Sequence, residues 1–378
     1  MLATRVLAAV IVMGLALLAA GCGRSSYTVV TMSGMGAKSA SEERNLTVPH
    51  VGDAGIDVRT DVGSVEVVAD PAVAEVSIAA KVTAYGETDE EARSRLPAIT
   101  VTATRRDDRV LAIVADCPAD AKGIRGSCSL VIRIPGVSGS TVRTGNGSIT
   151  LEGLGGAADA HTGVGSITVT GQGGNLTAET GNGSVRVAKA AAEVEVKTGV
   201  GSVAVGDVAG AVRAESGNGS IEVTNARASV EIHTSVGSVT VRDAAGPVSA
   251  RTQNGTVTVA KVAGAVKATS SVGTVTVDQV SGEVEARTGN GSITCTLAPG
   301  PSVPFDLETS VGSVTVRVPA GAGGSIDAST SVGNVTVDGP RRPVSVVGER
   351  SSKVIVLTED GPSSRVRTGN GNITITLE

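Results

Sequence analysis

One spacing constrains this chain more than any other feature. The tripeptides Asn146-Gly147-Ser148 and Val164-Gly165-Ser166 open a series that recurs every 18 residues. It runs on through Asn182, Val200, Asn218, Val236, Asn254, Val272 and Asn290 without a slip. Each is followed by a glycine (Gly147, Gly165, Gly183, Gly201, Gly219, Gly237, Gly255, Gly273, Gly291) and then by Ser or Thr. Asn and Val alternate at the first place, so a 36-residue period overlies the 18. Weaker copies follow at Val311, Val332 and Asn370, and one early copy, Val62-Gly63-Ser64, precedes the array.

The columns of this array separate by chemistry. Two residues after each glycine stand Ile149, Ile167, Val185, Val203 and their successors, and two further on Leu151, Val169, Val187 and Val205. Mostly Thr, Arg or Glu lies between them, which is the period-2 pattern of a strand with one buried face. A second strand precedes each glycine turn, with inward pairs such as Val212/Ala214 and Val230/Ile232. One such unit cannot bury its own apolar face, but stacked copies can, with hydrogen bonds running from coil to coil. Each buried Val contributes roughly 1.5–3 kcal/mol. The expected fold is therefore all-β: a parallel β-solenoid (β-helix) of 18-residue coils, thirteen or so in number. The handedness of parallel crossovers predicts right-handed winding. A single-layer antiparallel meander is the alternative, because Asn-Gly favours type I′ hairpins, although Val in the same slot resists φ > 0.

Composition agrees. Aromatics are three, Tyr27, Tyr85 and Phe305, as a narrow Val/Ala interior in layers about 4.8 Å apart requires. The net charge of −5 and this lack of stacking rings argue against a nucleic-acid partner. Gly at 50 of 378 is high but falls short of low-complexity composition.

The chain divides into four segments. Residues 1–22 read as a lipoprotein signal peptide: Arg5, an apolar run over 6–20, then Leu18-Ala19-Ala20-Gly21-Cys22. The run is shorter than a membrane span. Small residues before Cys22 resemble a lipobox, which makes Cys22 the lipidation site and membrane lipid its partner; an ordinary signal peptide cut near Gly21 is the alternative. Residues 23–45 read as a tether and 46–139 as a β-rich head with one short helix over 88–96, stopped by Pro97. Residues 140–378 are the solenoid, with a polar loop over 339–353. Cys117 and Cys128 flank a short turn-rich stretch, either as a disulfide suited to an exported protein or as two free thiols. Cys295 falls in a core column as a small hydrophobe.

A Cys-anchored signal, a leading β segment ending Arg133-Ile134-Pro135, and tandem Thr-Gly-Asn-Gly-Ser-Ile units together resemble the bacterial putative-adhesin family with tandem β-strand repeats, LiaG-like and related to GIN-type head domains. The resemblance covers residues 46–378. It implies a β-solenoid exposed on the cell envelope and brings no catalytic residues.

Signatures of chemistry are scarce. Gly-x-Ser-x-Gly, the phosphate-binding loop and His-Glu-x-x-His are all missing. His161 and His233 share an outward column, but four coils, roughly 19 Å, separate them, too far for one metal. Between them Glu179, Lys197 and Glu215 alternate in sign, as register-keeping pairs do. The turns lack the carboxylates calcium needs. Asn146, Asn182, Asn218, Asn254 and Asn290 are expected to form turn or ladder hydrogen bonds. No cofactor, no metal and no enzyme activity are expected. The function expected is that of a lipid-anchored envelope protein, an adhesin-like or structural surface meeting an envelope glycan or a membrane protein. An accessory of envelope-stress signalling and, less favoured, a polysaccharide-active enzyme are the alternatives. The C-terminal strand is expected to leave a bare coil edge open to end-to-end self-association.

Overall fold

The computed structural model describes residues 27–32, 38–52, 54–106, 109–120, 123–124, 126–340 and 343–378. Residues 1–22, with Cys22 and the expected signal, lie outside them.

Each repeat is one two-strand coil, and through the regular array each coil pairs in parallel with its neighbour 18 residues on. Val194–Val200 pairs with Val212–Asn218, and Val203–Val208 with Ile221–Ala226. This rules out the antiparallel meander. Fourteen coils stack among the described residues into two facing parallel sheets, called here the leading sheet (first strand of each coil) and the trailing sheet (second strand). Inward residues of one coil, for example Val194, Val196, Thr198, Val203, Val205 and Val208, are all buried. The core is one continuous column from Ala40 to Leu377.

The interior admits one ring after all. Phe305 is buried in the column of Val284, and the residue facing it in the next coil is the small Ser364, whose hydroxyl also accepts from the Phe305 amide at 3.2 Å. A large residue fits the layer because its neighbour is small.

The expected head is not a separate body. Gly55–Val62 and Val65–Ala69 form a coil that stacks directly under the first array coil, Gly139–Asn146 and Ile149–Glu152. Below it lies a coil made of Val110–Asp116 and Gly126–Ile134. The outermost coil therefore comes later in sequence than the coil it covers. Antiparallel strands then extend the end: Thr100–Arg106 on the leading sheet, Glu75–Gly86 and Lys38–Pro49 on the trailing sheet, and Tyr27–Met32 beyond them. The helix Asp89–Arg95 is capped by Thr88, whose hydroxyl accepts from the Glu91 amide at 3.1 Å, and buries Ala92. A 3-10 turn through Pro97 ends it.

The tether reading of 23–45 is thereby corrected for its described part. Residues 27–32 and 38–45 are strand, because Lys38–Pro49 pairs along its whole length with Glu75–Gly86. Arg44 is structural: its guanidinium donates to the carbonyl oxygens of Leu96 (3.0 Å) and Ile99, satisfying the end of the helical segment.

The C-terminal end repeats the same device. The last coil in sequence, Ser363–Asn370 and Ile373–Leu377, is inserted between the coil of Phe305–Val311 and the coil of Ser325–Val332. The C-terminal strand is therefore paired on both sides, and the bare edge expected there does not exist. The loop expected over 339–353 contains Ser345–Gly348, which forms a hairpin with Ser352–Val356; the latter pairs antiparallel on Ser325–Val332 and covers the end of the leading sheet. Only the short Val335–Asp338 ends the trailing sheet, and its Val335 amide is bound by the Arg350 carbonyl.

Candidate functional site

The corner that carries the repeat is built from four stacked ladders. The first is glycine. A Cβ on Gly219 would lie 2.5 Å from the carbonyl carbon of Gly201 and closer still to its oxygen, and the same holds from Gly147 to Gly371. The glycines after Val also need positive φ, from +142° at Gly63 to +152° at Gly201.

The second ladder was not foreseen from the sequence. A buried Thr or Ser precedes each corner, and its hydroxyl donates to the glycine carbonyl of the coil before: Thr162 to Gly147 at 2.8 Å, Thr198 to Gly183 at 2.9 Å, Thr252 to Gly237 at 2.9 Å. At the ends the bonds follow space, not sequence, with Thr144 reaching Gly63, Thr368 reaching Gly312 and Thr330 reaching Gly371. The signal was present as the Thr or Ser two residues before every Asn or Val.

The third ladder is the Asn/Val column itself. In spatial order it reads Val62, Asn146, Val164, Asn182, Val200, Asn218, Val236, Asn254, Val272, Asn290, Val311, Asn370, Val332. The alternation is unbroken, although in sequence Val311 is followed by Val332 and only then by Asn370. Inserting the last coil restores it. The valines are about half exposed (Val164 50%, Val236 48%, Val311 47%) and all these asparagines are exposed. An asparagine ladder is thus excluded, since each Asn has Val above and below.

The fourth column, on the outer face of the trailing sheet, is hydroxylic. Ser or Thr follows the glycines, giving way to Asn372 and Asn334 in the last two coils, and a second column reads Thr240, Thr258, Thr276, Thr294, Thr315, Thr374 and Thr336 in consecutive coils. The leading sheet is opposite in character. Its outer face is laced with ion pairs: Arg213 with Glu231 (2.8 Å) and Glu215 (3.0 Å), Lys267 with Glu285 (2.9 Å), Arg287 with Asp306 (3.1 Å). His161 lies 3.5 Å from Glu179 on this face, and both are about half exposed. Such pairs give about 0.2–1 kcal/mol each and hold register.

A further column bends the chain at the end of the trailing strand in eight successive coils. Lys189, Asp207, Asn225, Asp243, Lys261 and Gln279 are left-handed, with φ between +53° and +59°, continuing Gly153 and Gly171 at +70°. An open groove of about 500 Å³ runs beside it, lined by Asp207, Asn225, Arg227 and Asp243. Asn225 donates to Asp207 at 2.9 Å.

Cys117 and Cys128 are buried free thiols at the amino-terminal end, and the stretch between them is closed by the short pair Ala119–Asp120 and Gly123–Ile124. Burial pushes their thiols up, to about 11 and about 12. Cys295 lies in its core column between Val277 and Val316, fully buried, and burial raises it to about 12. Among the described residues no three His, Cys, Asp or Glu gather as a metal site.

A tandem stack of two-strand parallel coils with this corner has a family counterpart. Residues 211–376 match the family Toastrack DUF4097. The match covers under half of the chain and lies within the stack, from the coil of Val212–Asn218 to the inserted last coil. The Toastrack match agrees with the resemblance of the repeats to an adhesin-like β-repeat family. No curated protein matches the chain. Among solved structures, similarity extends to a putative cell adhesion protein from Clostridium sporogenes (10% identity, 94% of this chain and 100% of that one, TM-score 0.20). It also extends to a putative adhesin from Bacteroides fragilis (12% identity, 89% and 97%, TM-score 0.21) and a putative lipid binding protein from Parabacteroides distasonis (13%, 89% and 96%, TM-score 0.24). Superposition this slight carries no inference beyond the Toastrack match.

Proposed function

We propose that this chain is an exported envelope protein, held to the membrane through acylated Cys22, whose rod serves as an adhesin-like binding surface. The observation that carries the reading is the repetition of the Asn/Val column over thirteen of the fourteen stacked coils. A surface that offers the same groups every 4.8 Å or so suits a repetitive or extended ligand far better than a small substrate. Fatty-acid labelling tests the anchor: label is expected on the wild type and lost in Cys22→Ala. Retention of the full chain on isolated cell envelopes tests the binding role, and a chain that washes off both wall and membrane material would end it. Capture of a single membrane protein with no wall material would transfer the reading to a signalling accessory.

A further inference from the structure

The rod is uneven in charge around its girth, and the unevenness is sharpest over its carboxy-terminal half. Across the seven coils from Val236 to Val332, three outward columns side by side are uncharged at every position: the Asn/Val column, the Ser/Thr/Asn column and the Thr column. Further toward the amino-terminal end the Thr column is interrupted by Arg186 and Glu222. The leading sheet of the same seven coils carries His233, Arg251, Arg287, Glu308 and Arg367 in one column alone. The next column of the trailing sheet is charged again at Arg242, Asp278 and Arg317. The uncharged band is therefore bounded on both flanks, and Arg350, bonded to Asn334, closes it at its end.

Within the band the chemistry has a two-coil period. Methyl groups of half-exposed valines alternate with amides, beside one unbroken line of threonine hydroxyls and one of Ser/Thr hydroxyls that ends in Asn372 and Asn334. Two coils span about 9.6 Å, a length comparable to that over which the flat ribbon of a β-1,4-linked glycan repeats its two-sugar unit. Such a ribbon presents hydroxyls and apolar ring faces in alternation, and it carries no charge for the band to neutralise. The alternation is kept in space where the order of the chain would break it, at Val311, Asn370 and Val332. Tandem duplication of a 36-residue unit does not produce that; a constraint on neighbouring positions of the surface does.

We propose that the uncharged band binds a straight, uncharged β-1,4-linked glycan lying along the rod axis, one sugar to a coil. This rests on the envelope-binding reading above and adds the ligand class and the face. Without aromatic rings each sugar is held weakly, so the site works by summing equivalent contacts along the strand.

The test is calorimetric titration of the full chain with cello- and chito-oligosaccharides of two to six sugars. Two added sugars should tighten binding about thirtyfold, the worth of two further hydrogen bonds, and the affinity should hold between low and high salt because no ions are exchanged. Thr276→Lys with Thr315→Lys should abolish binding. Lysine is tolerable there, since Arg186 occupies the same column in another coil, and circular dichroism checks the fold. Val272→Asn with Val311→Asn, which removes the period without adding charge, should weaken hexaose binding at least tenfold. Lys267→Ala on the opposite face should change nothing. Affinity that ignores oligosaccharide length, falls with salt, or survives the lysine pair overturns the proposal. If envelopes retain both the wild type and the lysine pair while neither hexaose binds, the band is not the site and the envelope reading stands. If envelopes retain neither protein, the envelope reading falls by itself.

Discussion

The glycine ladder is where one added carbon should cost the most, and a neighbouring glycine supplies the control. In Gly219→Ala the new Cβ would sit 2.5 Å from the carbonyl carbon of Gly201, a backbone atom that cannot rotate away. The two coils must part at the corner. Three hydrogen bonds join those two coils at the corner: Gly201 amide to Asn218 carbonyl (2.9 Å), Val203 amide to Ser220 carbonyl (3.0 Å) and Ser216 hydroxyl to Gly201 carbonyl (3.1 Å). At a net of about 1 kcal/mol each, their loss or stretching costs up to about 3 kcal/mol. Alanine returns about 0.5–1 kcal/mol through the stiffer unfolded chain, leaving roughly 2–2.5 kcal/mol. Gly206, one trailing strand away, differs: its Cβ would meet only the Thr224 hydroxyl, at 3.2 Å, at the mobile end of a side chain. Gly206→Ala should be as stable as the wild type or slightly more so. Urea unfolding followed by circular dichroism reads both. With a slope of about 3 kcal/mol/M, the first variant should lose roughly 0.7–0.8 M in midpoint. Coils contact only their neighbours, so amide exchange should accelerate first around 201–236. A Gly219→Ala protein that unfolds with the wild type, or a Gly206→Ala protein that falls equally far, would refute the steric account of the repeat.

Three further outcomes are expected. Lys189→Gly and Gln279→Gly remove side chains from left-handed backbone that costs about 1–2 kcal/mol without a glycine; after the entropy of glycine is subtracted, each should raise stability by up to about 1 kcal/mol in the same urea assay. The buried thiols should resist a thiol reagent in the native state and react on unfolding. Their folded values of about 11 and 12 lie above the ordinary 9.0, so above about pH 9 the unfolded state releases protons that the folded state keeps; stability is whole below pH 9 and falls as pH rises toward 12, and Cys295→Val should shrink that fall while fitting a column otherwise filled by Val277 and Val316. Deleting 363–378 should expose more than one coil to limited proteolysis, because the coils ending at Val318 and Asp338 stack on the deleted one from opposite sides; protection everywhere but the tail would contradict the inserted order.

The parts legible in the sequence are those where one residue type does one job in every coil. Val and Ile at alternate positions gave the strands, and a spacing of 18 gave the coil. The left-handed column was hidden because its residues are Lys, Asp, Asn and Gln instead of glycine, although Gly153 and Gly171 head the same column. The tether reading failed for 27–32 and 38–45 because a polar run such as Lys38–Arg44 looks solvated until Glu75–Gly86 is seen to offer it a full set of backbone partners. The inserted coils were hidden for a different reason. Topology at the ends is set by which edge is left unpaired, and no local pattern reports that.

One clue to the ends was nevertheless in the text, in the order Val311, Val332, Asn370. Read as sequence, it is a lapse in the alternation; read as a stack, it is the position at which the last coil must enter to keep two valines apart. Side by side, half-exposed valines along the rod would form a continuous apolar stripe, and such stripes invite association. Amides between them break the stripe into single side chains. The alternation thus has a cost-avoiding role in the free protein as well as the recognition role proposed for it, and the two separate by experiment. Val272→Asn with Val311→Asn lengthens the run of amides and shortens no hydrogen-bond ladder, so it should leave solubility and the urea midpoint unchanged while glycan binding falls. The reverse pair, Asn254→Val with Asn290→Val, should bring the stripe into being and be seen first as concentration-dependent association in sedimentation.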